Sequence, residues 1–374
     1  LLLLKEKFEM STKMADFSAN VNLQQIRYAA VTLAVLLLAG LAAINSEAQE
    51  KDWNAVVAAA KKEGKVVVYG TSSFREILDK AKPIFEERYG IKVEALTGRA
   101  REVGERVQTE VRTKRQNADL LQAGADITLP NVFRAEALER WVPPSLKYAH
   151  PDILKMIDAP RLPFTPHYVN LRSILINRNR IAAKDEPKSW KDLTNPKWKG
   201  AILMDDPRSA GAGHALFVGT LLQPELGEDF HRKLAQNKPV FLGAGTYQQI
   251  ASRVAQREFA IGFPVDAEAV VEYAGSPVKW LPLPEGATHS IMATSLVKNA
   301  PRPNAAKLLL EFTLSEEFQR IAAAQNVTPA RIGVKAAREE WSIDKVRLLP
   351  FAGTDSREER DKLYRLSEAI YGVR

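Results

Sequence analysis

The residues best placed to do chemistry sit where short apolar strands run into helices. Gly70-Thr71-Ser72-Ser73 follows a β-branched run, and Asp206-Pro207-Arg208-Ser209-Ala210-Gly211-Ala212-Gly213 follows a strand ending at Met204. Gly243-Ala244-Gly245-Thr246 opens a third helix, with Tyr247, Ile250, Ala251 and Val254 along one face. A helix start presents unpaired N–H groups and the positive end of the dipole, and small residues let an anion approach that backbone closely. Carboxylates, phosphates and sulfonates suit such junctions. The same hydroxyls also serve as ordinary caps, since Ser73 with Glu76 and Thr246 with Gln249 have capping-box spacing. Arg99 and Arg101, in the loop after the second strand, offer guanidinium forks to an anion or face solvent. Asp266 suits either a ligand amine or the cap of the helix that follows.

Other chemistries lack their residues. Without cysteine there are no disulfides, thiolate zinc sites, iron–sulfur clusters or thiol nucleophiles. No G-x-x-x-x-G-K-[ST], H-E-x-x-H or G-x-S-x-G occurs, and Gly211 and Gly213 lack the third glycine of a dinucleotide fingerprint. His150, His167, His214, His231 and His289 are scattered without ligand spacing. An enzymatic reading therefore has little to stand on, and no catalytic residue, cofactor or metal site is expected. The net charge of +8 is spread along the chain, and no basic run interleaved with aromatics marks a nucleic-acid surface.

The elements that must position these junctions alternate. Lys65–Tyr69 reads as a strand, and Phe74, Ile77, Leu78, Ala81, Ile84 and Phe85 have a helical period, with Pro83 expected to kink or divide that helix. Gly90 ends it, Ile91–Leu96 alternates as a second strand, and Val103, Val107 and Val111 mark the next helix. Further strands are read at residues 174–176, 201–204, 240–242, 259–263 and 278–281. This order predicts an α/β fold with a mostly parallel sheet, binding its ligand beyond the carboxyl ends of the strands. With 374 residues, 45% of them hydrophobic, the chain has material for two domains, and Pro-rich interruptions at 143–144, 163–166 and 282–284 divide it. Near the start, the apolar stretch Tyr28–Ile44 after Arg27 leads to Ser46-Glu47-Ala48, the small-x-small pattern of a signal-peptidase site. Export with cleavage before Gln49 is expected over a membrane anchor, because the stretch is shorter than the ~20 residues a span needs. Met14 is the expected initiator.

Four later stretches carry a family signature. They are Pro187-Lys188-Ser189-Trp190-Lys191-Asp192-Leu193 with Pro196-Lys197-Trp198-Lys199-Gly200, Leu283-Pro284-Glu285-Gly286, Lys298–Lys307, and Leu314-Ser315-Glu316-Glu317-Phe318-Gln319. From about Lys65 to Val334 the chain resembles the periplasmic solute-binding proteins of ATP-binding-cassette (ABC) importers, in the branch related to ferric-iron-binding proteins. The resemblance implies a two-lobed, type II periplasmic binding-protein fold with two crossover strands and a ligand cleft between the lobes. It also implies a monomer whose loaded form docks on an inner-membrane ABC permease. The expected division is a removed segment 1–48, a first lobe from 49–170 with 286–334, a second from 171–285, and a tail 335–374. Thr71, Ser72 and Ser73 would meet the ligand from the first lobe. Arg208, Ser209, Ala210, Gly211, Thr246 and Tyr247 would meet it from the second, with Arg99 and Asp266 as further contacts. Iron-binding members of the branch carry adjacent tyrosines near the end of the inserted lobe. Here that stretch reads Ile261-Gly262-Phe263-Pro264-Val265-Asp266, and none of the nine tyrosines is adjacent to another. The resemblance therefore implies a small organic anion first, a phosphonate, phosphate ester or carboxylate with or without an amine, and ferric iron second.

Overall fold

The computed structural model describes residues 53–159, 161–243, 248–350 and 357–372; the expected export segment, Thr246 and Tyr247 lie outside them. The chain opens with α1 (residues 53–63), β1 (Lys65–Thr71), α2 (Ser72–Tyr89), β2 (Lys92–Gly98), α3 (Ala100–Arg112), β3 (Leu120–Gly124), α4 (Thr128–Arg134) and α5 (Pro151–Met156). The long strand β4 (Thr165–Asn177) leads to β5 (Ile202–Asp205), α6 (Ala212–Leu221), α7 (Gly227–Gln236), β6 (Val240–Leu242), α8 (Gln248–Ala255), β7 (Ile261–Asp266), α9 (Ala269–Glu272) and β8 (Val278–Leu281). The chain then returns through β9 (Thr288–Leu296), α10 (Pro303–Thr313), α11 (Glu316–Ala324), β10 (Thr328–Pro329) and α12 (Arg357–Tyr371).

The Val66–Tyr69 run makes β1 a fully buried strand, parallel to both β2 and β3. Phe74, Ile77, Leu78, Ala81 and Phe85 are the buried face of α2, and Gly90 closes that helix in the left-handed region, donating its N–H to Glu86. Pro83 does not divide α2, which is continuous. The apolar anchors on both sides of the proline hold the helix through the single backbone bond it forgoes. Nor does Ser73 form a capping box. Thr71 is the N-cap and Ser73 the second helical residue, because Gln122 Oε1 accepts from both the Thr71 N–H (2.8 Å) and its hydroxyl (2.9 Å), holding Thr71 at the junction.

The strands run in the order β2-β1-β3-β9-β4-β7-β5-β6, with β10 and β8 also on β4. Residues Thr165–Arg172 of β4 pair with β9, and Arg172–Asn177 pair with β7 and β8, so β4 belongs to both halves of the sheet. The chain crosses outward along β4 and back from β8 to β9, and Arg172 is the residue at which β4 passes from one half to the other. The outer strands are parallel, yet every pair made by β4 is antiparallel, which corrects the expectation of a mostly parallel sheet. Two crossings in opposite senses require that arrangement.

The C-terminal segment visits both halves. Trp341 is buried, its carbonyl accepting from Thr328 Oγ1 (2.8 Å), and Ala287 pairs with Arg347 and Leu349 beside the return crossing. Helix α12 then lies against the second half: Tyr371 OH meets His231 Nδ1 at 2.8 Å, and the Tyr364 and His214 ring centroids are 4.1 Å apart. Among the described residues no helix is long and apolar enough to cross a membrane.

Candidate functional site

Polar and charged side chains collect where β4 changes halves, at the carboxyl ends of β1, β3, β5 and β7. Arg172 is their centre. Its Nε lies 2.6 Å from Asp266 Oδ1 on β7, and its Nη1 donates to Ser290 Oγ on β9 (2.9 Å). Ser290 in turn donates to Asp126 Oδ2 (3.4 Å), just beyond β3. Gly124 makes room for this carboxylate, since a Cβ there would stand 2.2 Å from Asp126 Oδ1. Asp205, at the end of β5, accepts the Gly213 N–H (2.7 Å) and so caps the first turn of α6 with a carboxylate.

Burial and crowding of like charge set the ionisation of the cluster. Burial, reinforced by the Asp266 charge, pushes the Glu268 carboxyl up to about 8. Asp126 is raised by burial against the pull of Arg172, and Asp205 is raised mainly by burial, with the charge of Asp206 adding to it. Tyr168 on β4 is fully buried and pushed up to about 12 by that burial; Ser73, Thr71 and Gln122 oppose the shift and the Glu268 charge adds to it. His167 stacks between Phe74 and Tyr168 and is held down to about 3 by burial. His289 falls to about 4 through burial and the neighbouring Arg172.

The structure treats the residues singled out from sequence unequally. Thr71 and Ser73 are gathered with Gln122 and Tyr168, and Thr71 Oγ1 lies 3.2 Å from Ser73 Oγ. Ser72 and Ser73 are exposed on the first turn of α2. Asp266 is at the centre, paired with Arg172. Arg208 is committed internally. Its Nε and Nη2 donate to the two Asp206 oxygens (2.8 and 3.1 Å), its Nη1 to the Gly372 carbonyl (3.0 Å), and its guanidinium covers the Phe241 ring. The Ser209 hydroxyl is buried without a hydrogen-bond partner, while Ala210 and Gly211 are exposed. Arg99 stands at the surface, 88% exposed and 3.8 Å from Glu102. Sequence reasoning passed over Gln122, Asp126, Tyr168, Arg172, Asp205, Glu268 and Ser290. The signal for Asp126 and Asp205 was position, since each is a carboxylate at the carboxyl end of a strand. Among the described residues no three His, Asp or Glu side chains are grouped to hold a metal ion.

Two α/β halves joined by two crossings, with a polar cluster at the join, define a type II periplasmic binding-protein architecture. The chain belongs to the bacterial extracellular solute-binding protein family, whose model matches residues 134–355. An uncharacterized protein of Haemophilus influenzae is 28% identical over 288 residues, which cover 72% of this chain and 79% of that protein. The periplasmic binding protein AfuA of Actinobacillus pleuropneumoniae, solved with fructose-6-phosphate bound, is similar at TM-score 0.60 and 20% identity, over 83% of this chain and 99% of that one. The Trichodesmium protein IdiA (FutA), solved with iron and citrate, is similar at TM-score 0.66 and 19% identity, over 82% and 99%. The chain is thus the substrate-binding component of an ABC import system, in a non-catalytic class of proteins that deliver a small molecule to the permease.

Proposed function

We propose that the chain works in the periplasm as a monomer, after cleavage behind Ala48, with no enzymatic activity of its own. It captures a small organic anion, a phosphonate, phosphate ester or carboxylate, between a lobe of residues 49–170 with 286–334 and a lobe of residues 171–285. The observation that carries the anion reading is the start of α2. Its N-cap, Thr71, makes no side-chain cap bond, so the first-turn N–H groups and the exposed hydroxyls of Ser72 and Ser73 are available at the end of β1, beside the crossing strand. Ser209, with its buried unpartnered hydroxyl, and Thr246 and Tyr247 meet the ligand from the second lobe. Closure of the lobes by a hinge motion at the crossings shifts the open-to-closed population when ligand binds.

A thermal-shift panel of organic phosphates, phosphonates, carboxylates and chelated ferric iron tests this. A ligand at a hundred times its Kd adds ~2.7 kcal/mol, a shift of several degrees for a chain of this size. A shift with one anion class supports the proposal. A shift with ferric iron alone overturns it.

A further inference from the structure

We propose that helix α12 is a positioning element of the solute site: through Arg208 and His214 it fixes the run 209–213, and so sets how the second lobe meets its ligand. The inference rests on the reading of Ser209 as a second-lobe contact, and it adds the element that holds that contact in place.

The first argument is where the polar groups of α12 go. The helix follows the family-matched residues and buries or half-buries one stripe, Leu363, Tyr364, Leu366, Ser367, Ile370 and Tyr371, at helical spacing. Apolar packing alone would seat it. Yet the Gly372 carbonyl, just past its end, accepts from Arg208 Nη1 (3.0 Å), and the Tyr364 ring lies 4.1 Å from the His214 ring. Arg208 and His214 are the two flanks of the run 209–213. Each is also tied into the local backbone. Asp206 accepts from the Arg208 N–H (2.9 Å) and from its guanidinium, and His214 Nδ1 donates to the Pro207 carbonyl (2.8 Å).

The second argument is a separate anchor near the far end of α6. Thr220 Oγ1 donates to the Leu216 carbonyl (2.7 Å), so it accepts from His231 Nε2–H (3.0 Å), which leaves His231 Nδ1 to accept from the Tyr371 hydroxyl (2.8 Å). The Tyr371 ring also meets Phe241, the ring that Arg208 covers. α12 therefore holds α6 at both ends: at Thr220 through His231, and at Arg208 and His214 before and within its first turn. The Ser209 hydroxyl, buried without a hydrogen-bond partner, takes its place from these flanks. A binding group works only when held within about 0.5 Å of its productive position, which is what such a clamp supplies.

The test uses the full chain with Tyr364→Ala, with Tyr364→Phe as the variant that keeps the ring, and with Phe85→Ala as a loss of stability on α2, in the other half. Without ligand, hydrogen–deuterium exchange is read at the Arg208, Gly213 and Ala215 amides, each hydrogen-bonded, and at β1. Calorimetry then measures inorganic phosphate, ethylphosphonate, a glycerol phosphate and succinate. In Tyr364→Ala the expected result is exchange at least tenfold faster at those three amides, with β1 unmoved, and affinity for the bound anion at least tenfold lower. Tyr364→Phe and Phe85→Ala should keep the three amides and the affinity of the unaltered chain. Unchanged amides in Tyr364→Ala overturn the proposal. So does equal acceleration of them in Phe85→Ala, or faster exchange in Tyr364→Ala with affinity intact. Binding of no anion by the unaltered chain overturns the anion reading, while tenfold faster exchange confined to the three amides still supports α12 as the element that fixes the run.

Discussion

Strands β1 and β4 are buried almost equally, and for opposite reasons. β1 buries Val66, Val67, Val68 and Tyr69, with Val67 and Tyr69 packed in one core with Val103 and Val107 of α3, the ordinary use of a central parallel strand. β4 buries Thr165, His167, Tyr168, Ser173 and Asn177 and half-buries Asn170 and Arg172. Withdrawing apolar surface from water stabilises the fold at ~25 cal/mol per Å². Withdrawing polar groups costs stability unless each finds a partner, and several on β4 do not. The difference separates a strand that holds its half of the sheet together from a strand that carries the proposed site.

Four expected outcomes test that separation. Phe85→Ala, on the buried face of α2, should lower stability by about 3–5 kcal/mol through the cavity it leaves, with ligand affinity of the folded protein unchanged; chemical denaturation and calorimetry check both parts. Arg172→Met should cost about 3 kcal/mol, because Asp266 loses its 2.6 Å partner in a largely buried place, and should abolish binding as well.

The third outcome is a pH dependence to which groups on and beside the crossing strands contribute, along with His231 on α7, also held down to about 3 by burial. His167 and His289 lie at about 3 and about 4 in the folded chain, below the ordinary 6.5, so the unfolded chain binds more protons between those values. Their contribution is complete above pH 6.5 and is lost on acidification, at up to ~1.4 kcal/mol per pH unit for each group. Glu268 has the opposite sign. Its carboxyl, raised from 4.5 to about 8, supports stability fully below pH 4.5 and loses that support as pH rises through 8. Glu268→Gln should therefore melt above the unaltered chain at pH 9 and equal it at pH 4, in thermal melts at the two pH values. The smallest expected effect is that of Arg99→Ala, whose exposed side chain should leave both melting temperature and binding unmoved.

Much of the fold was legible because β1 and α2 follow the rules: a β-branched run, a 3.6-residue apolar period and a closing glycine. The resemblance supplied the two-lobed architecture, which periodicity did not. β3, β9 and the first half of β4 went unread. Thr165-Pro166-His167-Tyr168-Val169-Asn170-Leu171-Arg172 interrupts its apolar residues with polar and charged groups, so it does not look like a buried strand. Those unread strands carry Gln122, Tyr168, Arg172 and Ser290, so the candidate site was only half legible: Thr71, Ser73 and Asp266 were singled out, while the guanidinium that pairs with Asp266 was missed. Arg208 was singled out as an anion partner by residue type, yet type does not reveal that Asp206 and the Gly372 carbonyl already occupy its fork.

Hydrogen–deuterium exchange of the chain, with and without a saturating ligand identified in the organic-anion panel, tests the central claim most directly. A rival cavity of about 190 Å³, lined by His150, Thr328, Arg331, Ser342 and Asp344, gives the experiment its contrast. Ligand-dependent protection at residues 122–126, 165–173, 205–213, 246–247, 266–268 and the start of α2 is the result expected. Protection confined to residues 328–344, with β4 unchanged, would contradict the assignment of the site to the crossing strand.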